Sequence, residues 1–181
     1  TTEFRTINGR IVRDGGGIIP DTITQDDRKI NIAYYIYAQN LYFEYANRYA
    51  SAHETIAKPA DFKLTDTDFD SFITFIKEKG FTYTPQTKKY FDDLYEFAKL
   101  EGLDQEAKSE FDALRSKLMP DLDVKLNENK AEILDILSAE IIKRYYYQKG
   151  VIEYSLVNDV DLKTAIEILG KPEIYNKLLQ P

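Results

Sequence analysis

Cysteine and tryptophan are absent from the chain, and histidine and methionine occur once each. Without cysteine there is no disulfide, no thiolate nucleophile and no Cys-based zinc site between residues 1 and 181. That absence fits an oxidising or a reducing compartment equally well. An excess of positive charge is also lacking: the net charge is −7 and the pI is near 4.9. Nucleic-acid phosphates call for clustered Lys and Arg, whereas the basic runs extend no further than Lys88-Lys89 and Lys143-Arg144. Nucleic acid is therefore not expected as a partner. Long apolar runs are missing too. Ile141-Ile142 and Val151-Ile152 are bounded by charge, far short of the roughly 18 residues that a membrane span requires. No stretch combines the charged start and apolar middle of a signal peptide. The first residue is Thr1 rather than Met, so processing, proteolysis or a chosen boundary is the expected origin of this terminus, and a targeting segment could have been lost with it.

What is present is globular in kind. The 181 residues suffice for one medium domain with a sizeable core. Charged residues make up 30% and hydrophobic ones 43%, outside the disordered range. The compositional oddity is aromatic: 14 Tyr and 10 Phe. Tyrosine has a large apolar ring with a hydroxyl that wants a partner. Such residues on helices form packed faces with wet edges or, as the alternative, line a binding groove.

Along the chain, Glu3–Ile7 reads as a strand, Asn8-Gly9 as a two-residue hairpin turn and Ile11-Val12-Arg13 as the returning strand. Asp14-Gly15-Gly16-Gly17 is a flexible turn leading to Ile18-Ile19-Pro20-Asp21. After Asp26-Asp27 the pattern becomes helical. Residues 30–52 place Ala33, Tyr34, Tyr37, Leu41, Tyr45 and Ala46 on one side, with Tyr35, Ile36 and Phe43 elsewhere, so burial over much of the surface is expected. Asp66 or Thr67 can cap the next helix, whose stripe is Phe69, Phe72, Ile73 and Ile76 and whose end is Gly80. Thr84 and Pro85 open a helix with Phe91, Leu94, Tyr95 and Ala98, closed by Gly102. Asp104 caps one carrying Ala107, Phe111, Leu114 and Leu118, stopped by Pro120. A long helix spans about Val124–Gln148, with Leu126, Ile133, Leu134, Leu137, Ile141 and Tyr145 inward and Lys149-Gly150 as its end. Asp159 or Asp161 starts a helix with Leu162, Ala165, Ile166 and Leu169 inward. Gly170 and Pro172 separate it from a last short helix to Leu179. The expected fold is mainly α, a bundle of about seven helices behind an N-terminal β-hairpin stub. The expected division is 1–29 for the strand, turn and linker and 30–181 for the helical domain.

Most chemical motifs fail on spacing. The glycine run lacks the Lys-Ser/Thr of a P-loop and the GxGxxG order. His53, the single histidine, lies beside Ser51 near a helix end, which supplies no triad geometry; a helix-terminus role is expected. Asp66, Asp68 and Asp70 lack the glycine and terminal Glu of a calcium loop, and like Asp121 and Asp123 they suit a helix N-terminus. Glu140 with Lys143-Arg144 reads as a solvated helical pair. No catalytic residue, metal ligand or cofactor site is therefore expected within the chain.

The stub carries the one informative signal. A lone hairpin is marginally stable in water and needs a sheet to join, yet the rest of the chain is helical. Thr1-Thr2, Gly9-Arg10 and then Gly17, Ile18, Pro20 and Asp21 form two ordered submotifs. Together with Phe4 at an aromatic position, they resemble a segment of the carboxyl-terminal processing, or tail-specific, serine peptidases. Asn8 departs from the serine common there, and the Asp-Gly-Gly-Gly-Ile version resembles the Bacteroidetes branch, whose members carry a long helical tail. The resemblance implies that residues 1–29 end a peptidase catalytic domain and that 30–181 are its C-terminal helical region. It implies a Ser/Lys dyad lying before Thr1, an upstream PDZ domain, protein or peptide substrates, and an exported, periplasmic setting. The chain alone should be inactive. Packing on the catalytic core, contact with substrate and homo-oligomer formation are the roles this leaves for the helices. The alternative is a stand-alone helical interaction module, for which an orphan hairpin has little use. Residues 1–13 are expected to pair with another chain or to be poorly ordered.

Overall fold

The computed structural model describes residues 2–7, 9–15, 17, 20–24, 30–119 and 121–180. Among these residues the architecture is mainly α: two short strands precede nine α-helices and one 3-10 turn, Pro59–Asp61. Two compact units are formed, one from Thr1–Arg28 together with Tyr154–Pro181 and one from Lys29–Glu153.

The larger unit holds the core. Its helices are α1 (Ile32–Ala38), α2 (Leu41–Ala52), α3 (Asp66–Glu78), α4 (Gln86–Leu100), α5 (Lys108–Leu118), α6 (Leu122–Glu128) and most of α7 (Lys130–Leu156). Two of them were not expected as separate helices. The first helical stretch breaks at Asn40, which adopts φ 59°. Asparagine tolerates the left-handed region because its short polar side chain bonds locally. The break resets the helical phase: Ile32, Ala33 and Ile36 turn inward, while Tyr34 and Tyr37 are 55% and 60% exposed instead of sharing the stripe of Leu41, Tyr45 and Ala46. The expected long helix is likewise divided at Asn129, whose side-chain amide donates to the Lys125 carbonyl at 2.8 Å.

Local signals otherwise place the helix ends well. Gly80 (φ 74°) and Gly102 (φ 76°) follow α3 and α4. Phe81 and Leu103 N–H groups reach back to Ile76 and Ala98 carbonyls at 3.0 and 2.8 Å, the six-to-one bond of a Schellman ending. Three caps differ from expectation. Thr65, not Asp66 or Thr67, caps α3 in a reciprocal capping box with Asp68. Pro85 rather than Thr84 is the N-cap of α4, and α5 begins after Ala107, with no side-chain cap from Asp104. Pro120 lies outside the described residues. The core is aromatic at its centre: Tyr42 stacks on Phe72 (centroids 5.2 Å apart), and Tyr45 meets Phe72 and Phe75 edge-on at 5.1 and 5.3 Å. Around them lie Ile76, Leu126, Ile133, Leu137, Ile141 and Ile142.

Helix α7 does not stop at Lys149-Gly150. It breaks at Tyr147, where φ is 56° and ψ −158°, and continues to Leu156.

The smaller unit contains β1 (Glu3–Arg5), β2 (Ile11–Arg13), α8 (Val160–Leu169) and α9 (Pro172–Leu178). The strands pair antiparallel with each other, Phe4 opposite Val12, as the expected hairpin, and among the described residues they form a sheet of these two strands alone. The two-residue Asn-Gly turn is replaced by a longer connection. Thr6 N–H donates to Arg10 C=O and Gly9 N–H to Thr6 C=O, both at 2.9 Å, and Gly9 takes φ 84°, the hairpin form that ends on a left-handed glycine. Asn8 is outside the described residues. Asp159 caps α8 by accepting from Leu162 N–H at 2.7 Å. The α8 side chains expected to face inward do not. Leu162, Ile166 and Leu169 are 38%, 61% and 64% exposed and Ala165 is exposed too. Helix α8 packs against the short α9, which is too small to bury a full apolar stripe.

Candidate functional site

The two submotifs of the stub meet in space. The Arg10 guanidinium pairs with the Asp21 carboxylate, joining Gly9-Arg10 to the Gly17…Pro20-Asp21 segment. Both side chains keep about a third or more of their exposure, so the pair positions the loop more than it stabilises it. Thr2 is tied across the same hairpin: its N–H donates to Asp14 Oδ1 at 2.6 Å and its C=O accepts from Asp14 N–H at 3.1 Å. Gly9 C=O accepts from Arg5 at 3.1 Å, and Arg13 pairs with Glu3 at 2.6 Å across the strands. Gly17 has φ 91°, a conformation that L side chains rarely adopt. Gly17, Pro20 and Asp21 join Arg10, Ile11, Val12 and Arg13 around a shallow pocket of about 430 Å³. Thr1 and Ile18, the remaining motif positions, lie outside the described residues.

The described residues around the pocket include no group placed to act as a nucleophile. Its arginines are engaged with carboxylates, and among the described residues no serine, lysine or histidine lines the pocket. The other flagged residues have structural posts. His53 is the C-cap residue of α2. Its ring stacks on Tyr49 at 4.0 Å, with Nδ1 2.9 Å from the Tyr49 carbonyl. Ser51 donates to Asn47 C=O at 2.9 Å, away from any triad. Asp121 accepts from Asp123 N–H at 2.8 Å as the cap of α6. Asp68 serves the capping box, and Asp66 pairs with Lys130 at 2.8 Å.

Sequence reasoning missed Arg144. The expected solvated pair with Glu140 is instead a clamp between α7 and α2, with side chains only 16% and 19% exposed and 3.0 Å apart. Arg144 Nε donates to Asn47 Oδ1 at 2.8 Å, a terminal nitrogen reaches Phe43 C=O at 3.3 Å, and the guanidinium lies 4.5 Å from the Phe43 ring centroid. Tyr145 and Tyr146 extend the seam by donating to the His53 and Ile56 carbonyls at 2.5 and 3.3 Å. The tyrosines here are wet edges of packed faces. Asn47 and Arg144 stand far apart in sequence, and no local pattern announces their meeting.

Among the described residues no helix is long and apolar enough to cross a membrane. No curated protein and no solved structure matches the chain. Residues 32–169 match the sequence model of a family described as "Probable PDZ-protease, C-terminal helical domain". That span takes in every helix from α1 to α8. The chain belongs to this family of protease-associated C-terminal helical domains.

Proposed function

We propose that the chain is the C-terminal part of an exported, periplasmic serine endopeptidase of the carboxyl-terminal processing type. In this reading residues 1–29 end the catalytic domain, and the helical domain docks on that domain through the smaller unit. One observation carries the docking. No described residue of that unit belongs to the buried hydrophobic core, and Phe4, Ile11, Val12, Val160, Ile166 and Leu169 expose 42–64% of their surface. A two-stranded sheet with both faces wet and a helix pair with its stripe uncovered are marginal by themselves. Burial against the rest of a protease would supply what they lack, at about 25 cal/mol per Å² of apolar surface covered. Peptide or protein substrates reach this chain by way of that parent, whose Ser/Lys dyad lies before Thr1 in this reading.

The test compares the parent protease with its Ile166→Asp/Leu169→Asp variant. Both positions are exposed in the chain itself, so residues 1–181 alone should keep their stability within about 0.5 kcal/mol. In the parent, the catalytic domain and the tail should unfold in one calorimetric transition, and the variant should split it into two. A single unaltered transition in the variant would remove the docking role.

A further inference from the structure

The break in α7 is built on the wrong residue. Tyr147 adopts φ 56°, ψ −158°, a region that is close to glycine-only. The nearest glycine is Gly150. The Tyr147 side chain does not hold the strain in place, since it is 76% exposed. The hold comes from further along. Gly150 is the only buried residue between 148 and 156. A Cβ at that position would lie 2.2 Å from Tyr146 Cβ and 3.0 Å from Ile142 Cγ2. Its bare backbone is therefore seated directly on the preceding turn.

An unbroken helix spaces residues 146 and 150 about 6 Å apart, and a methyl group at 150 would meet no such obstacle. The two geometries make opposite demands. The broken form requires glycine at 150 and is strained by any side chain at 147. The continuous form accepts tyrosine at 147 without strain and is weakened by glycine at 150. The sequence supplies tyrosine at 147 and glycine at 150, so each form carries one penalty. The arm before the break is fastened to the body by Arg144, Tyr145 and Tyr146.

We propose that α7 is a two-state helix: a form broken at Tyr147 with Gly150 seated on Tyr146, and a continuous form in which Tyr147 relaxes to the right-handed helical region and the arm beyond it swings about the fixed arm 130–146. The break at Tyr147 and its partner Gly150 lie in the larger unit, and the device does not depend on the peptidase reading.

Because residues 1–181 contain no cysteine, spin labels can be placed by Ala131→Cys and Glu153→Cys, both exposed ends within α7. Pulsed electron paramagnetic resonance on the full chain then reads the span. The continuous form places the label sites ~33 Å apart at ~1.5 Å per residue; the broken form is shorter by several ångström. Gly150→Ala should shift the population to the long distance with helix content retained. Tyr147→Gly should collapse it onto the short one. One distance, unchanged among wild type and both variants, would overturn the proposal. So would a Gly150→Ala protein that unfolds, because a continuous form should accept alanine.

Discussion

Replacing Arg144 with alanine tests whether the α2–α7 seam is a structural clamp. The side chain makes a 3.0 Å ion pair with Glu140, a 2.8 Å bond to Asn47 and a 4.5 Å cation–π contact with Phe43. Exposed ion pairs contribute about 0–1 kcal/mol, and breaking a buried one costs about 3–5 kcal/mol. With both partners less than one-fifth exposed, this pair lies nearer the buried limit. The bond to Asn47 is charge-assisted, worth about 1.5–3 kcal/mol before relaxation, and the ring contact adds about 0.5–1 kcal/mol. These terms overlap, because water can enter once the guanidinium is gone. The net loss for Arg144→Ala should be about 2–4 kcal/mol. At about 2–4 °C per kcal/mol for a chain of this size, Tm should fall by roughly 4–16 °C. Arg144→Lys keeps the charge and loses the planar fork, so it should cost about 1–2 kcal/mol. Urea denaturation of residues 1–181 gives the values, and a cycle with Asn47→Ala gives the coupling. A loss below about 0.5 kcal/mol, the level of an ordinary surface change, would mean that Arg144 is as solvated as its sequence suggests.

Two further changes probe the core. Tyr42 is buried, and its hydroxyl has no protein partner among the described residues. Tyr42→Phe should therefore leave stability at neutral pH within about 1 kcal/mol of wild type or raise it. Burial, followed by the nearby Glu132 charge, pushes the Tyr42 hydroxyl far above its ordinary range. The folded chain thus keeps a proton that the unfolded chain releases near pH ~10. Stability is full below that pH and falls as pH rises above it, by up to ~1.4 kcal/mol per pH unit for this group. Tyr42→Phe should flatten the decline, read by denaturation between pH 8 and 11, and an identical slope would count against it. Phe72→Ala should cost about 3–5 kcal/mol and reduce the near-ultraviolet circular dichroism of the Tyr42 and Tyr45 rings that it contacts. A loss under about 1 kcal/mol would show that the site collapses around the cavity.

The parts of this fold that were legible in the sequence are the parts governed by a few neighbouring residues. Gly80 and Gly102 close helices because a left-handed glycine lets two backbone bonds form locally, and Asp121, Asp159 and Pro172 open helices for equally local reasons. The break at Asn40 was hidden because asparagine fits both a helix interior and a left-handed turn, and the choice rests on packing. The exposed stripe of α8 shows the reverse limit. Its periodicity correctly marks an apolar face but does not say whether this chain supplies the cover. Likewise, Arg10 and Asp21 are readable as motif residues, while their pairing is a fact of three dimensions.

The smaller unit joins segments on either side of residues 29–153, and Thr24 bonds to Asp161 across that gap. Loop closure over such a length carries an entropy cost before any contact rewards it, so the larger unit, rich in short-range helical contacts, is expected to fold first. During synthesis at ~5–20 residues per second, the N-terminal hairpin waits many seconds for α8 to emerge. Phe4, Ile11 and Val12 stand uncovered throughout that delay and stay 42–52% exposed once α8 is in place. The hairpin's arginines and acids, paired across the strands in Arg13–Glu3 and along the loop in Arg10–Asp21, keep charge beside that apolar surface and guard it from sticking to its neighbours while it waits.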